Sequence, residues 1–400
     1  MIEVEKAEEI IRKHPYGAKA ETISLDASMG RVLAEGLVAD RDFPPFDRVM
    51  MDGIAITHRL CTSDSRRFKI AGTVGAGYAP EVSFDPAHCV EIMTGAVLPQ
   101  PYDTIVRYED VEIEDGYAKV LVDGVTQGAH IHRQGSDKVA GEVIVPAGRR
   151  MSASEIGVAA STGYASLSVL TLPRIAVIAT GDELVPVGGK PSPYQIRSSN
   201  EHVVEAALSQ WGQEVDRMHV NDAQQDVEKL ITSAIDQYDV LIFLGGTSKG
   251  KYDFVPDALK KCGVKQHFHR VKQRPGKPLW FGSKDSSVHV FALPGNPVSA
   301  FMCLQKYILP WLNNSLGVPI KTVKAMLEED VQFESPLTYF MQVQCRNENG
   351  QLFARPIEGR GSGDLANLVN SDAFLQLPAE RSSFKHGELF PLIPFRSFLS

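Results

Sequence analysis

Short apolar runs alternate with helical patterns between residues 173 and 312, and this alternation decides the class of fold. The runs IAVIA, VLIFL and VHVFA have the length and composition of buried strands. Segments with helical periodicity lie around residues 199–211, 222–236, 253–262 and 297–312. Strands that alternate with helices of this length predict a doubly wound α/β domain, in which a parallel sheet is covered on both faces.

The regions on either side of this block are rich in short strand patterns. Residues 40–140 contain alternating runs separated by glycine turns, which favour a small β-rich domain, and residues 318–400 favour a small β domain or barrel. Helical spacing at the start of the chain predicts a helix over residues 3–14, and a second helix is predicted over residues 152–163. We therefore expect a multidomain α/β plus β protein, as its 400 residues allow.

Composition excludes several classes of protein. The net charge of -8 argues against a nucleic-acid binder, whose footprint would be basic. The five cysteines are odd in number and form no C-x-x-C pair, which favours reduced thiols in a cytosolic protein. The amphipathic amino-terminal segment has no apolar core typical of a secretion signal, and no segment has the length of a transmembrane helix. We expect a cytoplasmic protein that binds neither nucleic acid nor membrane.

Glycines and carboxylates follow the predicted strands at the points where their carboxyl ends meet. Gly181, Asp182 and Glu183 follow IAVIA, and Gly245 and Gly246 follow VLIFL. Loops at the carboxyl ends of parallel strands converge on the ligand crevice of such a sheet. Adjacent acids that face a phosphate site recruit Mg²⁺, although a capping pair on a solvated turn is the alternative interpretation. The second loop continues with further candidate ligands, namely Ser248, Lys249 and Asp253.

Two more loops add candidate anion-binding groups. The segment from Pro294 and Gly295 to Ser299 is the clearest helix start in the chain, with Asn296 as a favoured N-cap and Pro297 at the first helical position. Its free N–H groups suit an anion, although simple capping explains the same residues. The loop that contains Arg274 and Lys277 places two cations around a Pro-Gly turn, and a solvated basic hairpin is the alternative. Together these loops predict a metal-assisted phosphate or oxyanion site.

Several ordered motifs resemble those of the MoeA family of molybdopterin molybdenumtransferases, which also includes the carboxyl-terminal part of gephyrin. The motifs are PPFD with MDGIA, IMTGA with Pro99, RQGSD, PAG, TGDEL, GGTSKGKYD, PGKP, LPGNPVSA and GSGDL. The resemblance covers essentially the whole chain. It departs from the family pattern at Arg274, where many relatives have lysine, at Ser136, where glutamate is usual, and at Arg48-Val49-Met50.

The resemblance implies a homodimer of four-domain subunits whose central domain is like the MogA-type adenylyltransferases. Its expected domains are an amino-terminal helix at 1–19, a connecting and dimerisation domain at 20–39 and 140–172, a β-rich domain at 40–139, the MogA-like molybdopterin-binding domain at 173–317, and a carboxyl-terminal β domain at 318–400. Other proteins of molybdenum-cofactor biosynthesis are further possible partners.

The resemblance also implies a reaction and the residues that perform it. Molybdenum from molybdate is inserted into adenylylated molybdopterin, and AMP is released. The catalytic residues carried over are Asp52, Thr94, Asp137, Glu183, Asp253 and Lys277. Substrate-binding residues are Gly181, Asp182, Gly245, Gly246, Ser248, Lys249, Arg274, Pro294, Gly295, Asn296, Pro297 and Ser299, and the Mg²⁺ ligands are Asp182, Glu183 and Asp253. Two alternatives are a MogA-type molybdopterin adenylyltransferase and a non-catalytic scaffold like gephyrin.

Overall fold

The computed structural model describes residues 1–62, 65–78, 84–246, 254–285, 287–359 and 361–396. The chain divides into two compact units. The first unit contains Met1–Ala34, Gly148–Ser152 and Ser166–Ser400, and the second contains Glu35–Ala147 and Ala153–Ala165. Each unit has its own hydrophobic core.

The first unit begins with helix α1 (Val4–Arg12), which buries Val4, Ala7 and Ile11. These three residues recur at helical spacing, so the helix predicted for this segment is confirmed. Strand β1 (Ala20–Ser24) follows and pairs with a strand that the chain reaches only after it has built the second unit.

The second unit is rich in β-structure, as expected from its short alternating runs. Its strands are β2 (Leu37–Val38), β3 (Arg48–Val49), β4 (Gly53–Ile56), β5 (Arg67–Val74), β6 (Cys89–Ile92), β7 (Thr104–Arg107), β8 (Val111–Glu114), β9 (Tyr117–Val120), β10 (Ile131–His132) and β11 (Val143–Val145). Six of them form a sheet in the order β7-β4-β6-β5-β9-β8. Helix α2 (Ala153–Ser161) completes the unit, and β12 (Ser166–Leu170) then pairs antiparallel with β1.

A six-stranded sheet forms the centre of the first unit. The helices and strands of this central region, which include some strands outside the sheet, are in chain order β13 (Ile175–Thr180), β14 (Leu184–Val185), β15 (Ile196–Arg197), α3 (Asn200–Ser209), β16 (Val215–Val220), α4 (Gln224–Ala234), β17 (Val240–Leu244), α5 (Val255–Lys261), β18 (Lys265–His269), β19 (Gln273–Arg274), β20 (Trp280–Lys284), β21 (Val288–Leu293), α6 (Pro297–Cys303) and α7 (Leu309–Ser315). A π-helical segment, Leu304–Ile308, joins α6 to α7. The strand order is β16-β13-β17-β21-β20-β18.

Both faces of this sheet are buried, which explains why its strands are apolar without alternation. Val177 and Ile242 lie in a core shared with α1, α3, α6 and α7, whereas Ile178 and Phe243 lie in a core shared with α4 and α5. The predicted doubly wound sheet is therefore confirmed. Its first four strands are parallel, β20 runs antiparallel to them, and β18 pairs antiparallel with β20. The segment between β20 and β21 is too short for the crossover that a parallel connection requires.

The carboxyl-terminal region folds into a closed β-barrel. Its strands are β22 (Val323–Leu327), β23 (Val331–Gln332), β24 (Thr338–Glu348), β25 (Gln351–Pro356), β26 (Ala373–Leu377), β27 (Ser383–Phe384) and β28 (Leu389–Pro394). The order β24-β25-β22-β28-β26 closes because β26 also pairs with β24. Strand β19 of the central region pairs parallel with β24 and so attaches the barrel to the loop that carries Arg274. None of the described helices is long and apolar enough to cross a membrane.

Candidate functional site

Three loops leave the same edge of the central sheet because β13, β17 and β21 are adjacent and parallel. The N–H of Gly245 donates to Leu293 O at 3.0 Å. Gly245 has φ +109, and a Cβ there would lie 2.6 Å from Thr180 Oγ1, while a Cβ on Gly295 would lie 3.7 Å from Gly245 Cα. Gly246 also lies against Thr180 Oγ1, which has no hydrogen-bond partner among the described residues. Only glycine allows such a close approach of the loop backbones.

The two acids after β13 lie at this edge within a tight turn, which the Leu184 N–H closes by donating to Gly181 O at 3.3 Å. Gly181 has φ +144, and a Cβ there would come within 2.6 Å of Glu183 Oε2, so the Glu183 carboxylate covers this glycine. Asp182 Oδ1 accepts a hydrogen bond from the Asp222 N–H at 3.1 Å. His219 Nε2 contacts Gly181 O at 2.9 Å and holds the turn from the other side. Both carboxylates are held close to the strand end.

The predicted loop residues Ser248, Lys249 and Asp253 lie outside the described residues. Within the described part of the chain, no group of three or more histidine, cysteine, aspartate or glutamate side chains is arranged to hold a metal ion. Asp182 and Glu183 are therefore the only two of the three predicted Mg²⁺ ligands that the structure locates.

A cavity of about 450 Å³ lies between the central sheet and the barrel. It contains five predicted residues, namely Arg274, Lys277, Pro294, Asn296 and Ser299. Tyr339, Gln342 and Ser362 line its barrel side. No aspartate or glutamate occurs among its described lining residues, although acids outnumber bases in the chain by 49 to 41. The cavity therefore presents two cations and several hydroxyl and amide groups with no opposing carboxylate. Of the other two predicted residues at this helix start, Gly295 lies beside Gly245, and Pro297 opens α6 as predicted.

Asn296 occupies the N-cap position of α6, but its side chain makes no capping hydrogen bond. Its Nδ2 instead donates to Ser362 Oγ at 2.7 Å, and the Val298 N–H donates to Ser362 O at 3.1 Å. Ser362 is therefore fastened to the first turn of the helix from the barrel. Asn200 Nδ2 donates to Gly295 O at 2.7 Å and fixes the approach to the same turn.

In the second unit, Asp52 and Thr94 form one cluster. Asp52 Oδ1 accepts hydrogen bonds from the Thr94 N–H at 2.6 Å and from Thr94 Oγ1 at 2.7 Å. These bonds, first the backbone one and then the hydroxyl one, hold the pKa of the Asp52 carboxylate below its ordinary value. The carboxylate is exposed and ionised at neutral pH.

Asp137 belongs to a neighbouring chain of contacts in the same unit. His132 Nε2 lies 2.8 Å from Asp137 Oδ1, and Arg48 Nη2 lies 3.1 Å from His132 Nδ1. Because arginine can only donate, His132 Nδ1 accepts and the Nε2–H donates to Asp137. Strand β3 places this chain beside the first cluster, since the Val49 N–H donates to Ala96 O and the Met50 N–H to His130 O.

Sequence analysis missed three residues that these contacts identify. Ser362 was noted only as part of a family motif, and no local pattern connects it to a helix start 66 residues earlier. His132 was not predicted to contact Asp137, although its position five residues away is compatible with a turn. Gln273 is fully buried beneath the Arg274 loop, and a glutamine in a basic segment carries no sequence signal of burial.

Comparison with known proteins gives the same order of regions along the chain as the sequence motifs do. A model of the MoeA N-terminal region (domain I and II) matches residues 2–163. A model of a probable molybdopterin binding domain matches residues 176–314, and one of the MoeA C-terminal region (domain IV) matches residues 324–395.

A molybdopterin molybdenumtransferase from Synechocystis is 38% identical over 395 residues, which cover 98% of this chain and 99% of the relative. The chain belongs to the MoeA family. A second MoeA relative, the molybdopterin molybdenumtransferase of Bacillus subtilis, is 29% identical over 94% of this chain and 90% of its own length. The crystal structure of a MoeA protein of molybdopterin biosynthesis from Pyrococcus horikoshii matches 99% of this chain and all of that chain, with 28% identity and a TM-score of 0.81. The resemblance to MoeA proteins inferred from the motifs is confirmed.

Proposed function

We propose that the protein is a molybdopterin molybdenumtransferase that inserts molybdenum from molybdate into adenylylated molybdopterin and releases AMP. Full-length relatives of the same family with this name support the proposal. The observation that carries it is the cavity between the central sheet and the barrel, which holds Arg274 and Lys277 without any described carboxylate.

Molybdate fits the chemistry of this cavity because it is a tetrahedral dianion. Arg274 offers planar paired donors and Lys277 a point charge, so together they can match two negative charges. Ser299 and Ser362 add hydroxyl groups to the lining of the cavity. A nearby carboxylate would repel the bound anion and lower its affinity for the cavity. None is present among the described lining residues.

Mg²⁺ fits the acids at the neighbouring strand end. Mg²⁺ is bound through one or two carboxylates and keeps several waters, so Asp182 and Glu183 satisfy its requirement, with Asp253 proposed as a third ligand. The Glu183 carboxylate packs against Gly181, where a side chain would have no room, and so stays close to the end of β13. Bound there, the ion would neutralise charge on the phosphate oxygens of the adenylyl group. The Thr180 hydroxyl, which has no hydrogen-bond partner among the described residues, is buried at the same edge.

Asp52, Thr94 and Asp137 are proposed to act on the molybdate and pterin side of the reaction. Thr94 keeps Asp52 ionised, so this carboxylate can accept a hydrogen bond or a proton from the substrate. His132 orients the Asp137 carboxylate through the Nε2–H that Arg48 fixes.

The two alternatives are less well supported. An adenylyltransferase of the MogA type would need only the central domain, whereas matches to the MoeA family extend over residues 2–163 and 324–395 as well. A scaffold like gephyrin would have no use for a cavity with two unopposed cations. We further propose that the protein acts as a cytoplasmic homodimer and contacts other proteins of cofactor biosynthesis; its five free cysteines are compatible with a reducing compartment.

The test uses purified protein, adenylylated molybdopterin, Mg²⁺ and micromolar molybdate. AMP release and activation of an apo-molybdoenzyme are followed together for the wild type, Lys277→Met and Glu183→Gln. We expect molybdate-dependent AMP release that both variants lose by at least about tenfold, because each removes a charge that faces the substrates. AMP transfer from ATP to free molybdopterin, without molybdate-dependent release, would instead identify an adenylyltransferase. Sedimentation of the same sample tests the proposed dimer.

A further inference from the structure

A glutamine without exposed surface lies directly beneath the loop that carries the two cavity cations. Gln273 is 0% exposed, and both ends of its amide are occupied. Its Nε2 donates to Gly276 O at 3.0 Å, and its Oε1 accepts from the hydroxyl of Tyr307. Since Gly276 O can only accept, the orientation of the amide is determined. Burial of an amide is costly unless both ends are bonded, so this arrangement is specific.

Tyr307 reaches Gln273 from the π-helical segment between α6 and α7. The tyrosine is 1% exposed, and burial raises the pKa of its phenol well above the ordinary value. The hydroxyl therefore stays protonated at neutral pH and donates to Gln273. Such π-helical insertions shift side chains relative to a regular helix and are frequent at functional sites.

Gly276 is pressed against the same helix. It has φ +87, and a Cβ there would lie 2.6 Å from Cys303 Sγ and 2.8 Å from Gln273 Nε2. Its carbonyl also accepts from the Leu279 N–H at 3.2 Å, across the loop. Two hydrogen bonds therefore hold the Gly276 carbonyl at the midpoint of the loop, one from the buried Gln273 amide and one from the Leu279 N–H.

The two cations on either side of this midpoint have no carboxylate to hold them. Arg274 and Lys277 are exposed, and neither forms an ion pair with a described residue. Arg274 lies over the ring of Phe333, with Cζ 5.7 Å from the ring centroid, and the backbone of the loop sets where both cationic side chains begin. Small errors in such placement reduce the affinity and the rate of a site disproportionately.

We propose that Gln273 and Tyr307 are positioning residues that hold the Arg274–Lys277 loop in the geometry that binds molybdate. This inference rests on the proposed function, because it assumes that the cavity takes an oxyanion. It assigns a role to two buried residues that act through the carbonyl of Gly276, although Gln273 also contributes to the lining of the cavity.

The experiment compares Tyr307→Phe, Gln273→Met and the double variant in the full-length protein. Binding of sodium molybdate is measured by calorimetry, and stability is measured by urea unfolding. We expect each single variant to weaken molybdate binding about tenfold and to lose stability, because one buried polar group is left unpaired. The double variant removes both partners and should regain most of the stability, whereas its molybdate affinity should stay low because Gly276 O has lost the amide.

The matched control is Gln213→Met, since Gln213 is another buried glutamine whose Nε2 holds a backbone carbonyl, that of Pro173 at 2.9 Å. It should lose stability without a change in molybdate affinity. If the affinity of the three variants follows their stability, or if all bind molybdate like a competent wild type, the positioning role is wrong while the proposed function stands. A wild type that does not bind molybdate at all would overturn the anion cavity, and this inference with it.

Discussion

His289 makes the stability of the central domain dependent on pH between neutrality and pH 4. The side chain lies on β21, is 1% exposed, and packs with its ring centroid 5.2 Å from that of Trp311. Its Nδ1 has no hydrogen-bond partner among the described residues. Burial, with repulsion from His14 second, lowers the pKa of His289 from 6.5 to about 4. The folded protein therefore resists protonation at a position where the unfolded chain accepts it.

The sign of the effect follows from proton linkage. Below pH 6.5 His289 binds a proton in the unfolded state, whereas in the folded state it does so only near pH 4. Its contribution to stability is therefore fully present above pH 6.5 and is lost as the pH falls towards 4. At 1.36 kcal/mol for each pH unit, the free energy of unfolding falls by about 2 kcal/mol between pH 6.5 and 5, and by about 3 kcal/mol at pH 4. This loss is large against the 5–15 kcal/mol typical of a whole domain.

Urea unfolding at pH 7 and pH 5, followed by tryptophan fluorescence, measures this loss. The protein has only three tryptophans, and Trp211, Trp280 and Trp311 all lie in the cores of the central region, so the signal reports its unfolding. His289→Leu cannot titrate and should lose about 2 kcal/mol less than the wild type over this interval. Equal losses in the two proteins would refute the assignment to His289. His267, whose pKa burial also lowers to about 4, is unchanged in both and cancels from the comparison.

Three further perturbations have definite expected outcomes. Gly276→Ala should lower the free energy of unfolding in urea by about 3 kcal/mol, because its Cβ would clash with Cys303. The control Gly263→Ala also has a positive φ, +83, but nothing lies within 4 Å of its Cβ, so it should lower this free energy by only about 1 kcal/mol. Thr94→Val removes a hydrogen bond that lowers the pKa of Asp52, so the acidic limb of the pH profile of kcat/KM should move to higher pH. Thr94→Ser keeps the hydroxyl and should keep the wild-type profile. Identical profiles for Thr94→Val and Thr94→Ser would contradict the role of this hydrogen bond. Removal of divalent ions by EDTA should abolish AMP release, and added Mg²⁺ should restore it.

The parts of the fold that sequence analysis predicted are those that depend on local pattern. The β13 and β17 runs are apolar without interruption because both faces of the sheet are covered, and such runs are recognisable from the chain alone. The reversed direction of β20 was not predicted, because direction depends on how the chain turns between strands rather than on strand composition. The closed barrel follows from the pairing of β24 with β26, a contact between distant segments.

The candidate site likewise contains residues that local sequence pattern predicts and residues whose contacts come from distant segments. Gly181, Gly245 and the Asn296 helix start could be placed at one sheet edge because they directly follow parallel strands. The partner of Asn296 could not be predicted, because capping geometry suggests its own helix, whereas Ser362 of the barrel takes the side chain instead. Gln273 shows the same limit, since its burial depends on Tyr307 from a π-helical turn that has no sequence signature.

The order of the strands separates the two acids of the first unit from the helix start at the cavity. Asp182 and Glu183 follow β13, and the helix start at the cavity follows β21, with β17 between them. Two strand spacings separate the two strand ends by about 10 Å. In the proposed reaction the carboxylates would therefore bind Mg²⁺ at one point, and an oxyanion would bind in the cavity at another. A substrate that spans these two points would present its phosphate to the acids and its other end to the cavity, as the proposed cleavage of an adenylyl bond and insertion of a metal on the same molecule require.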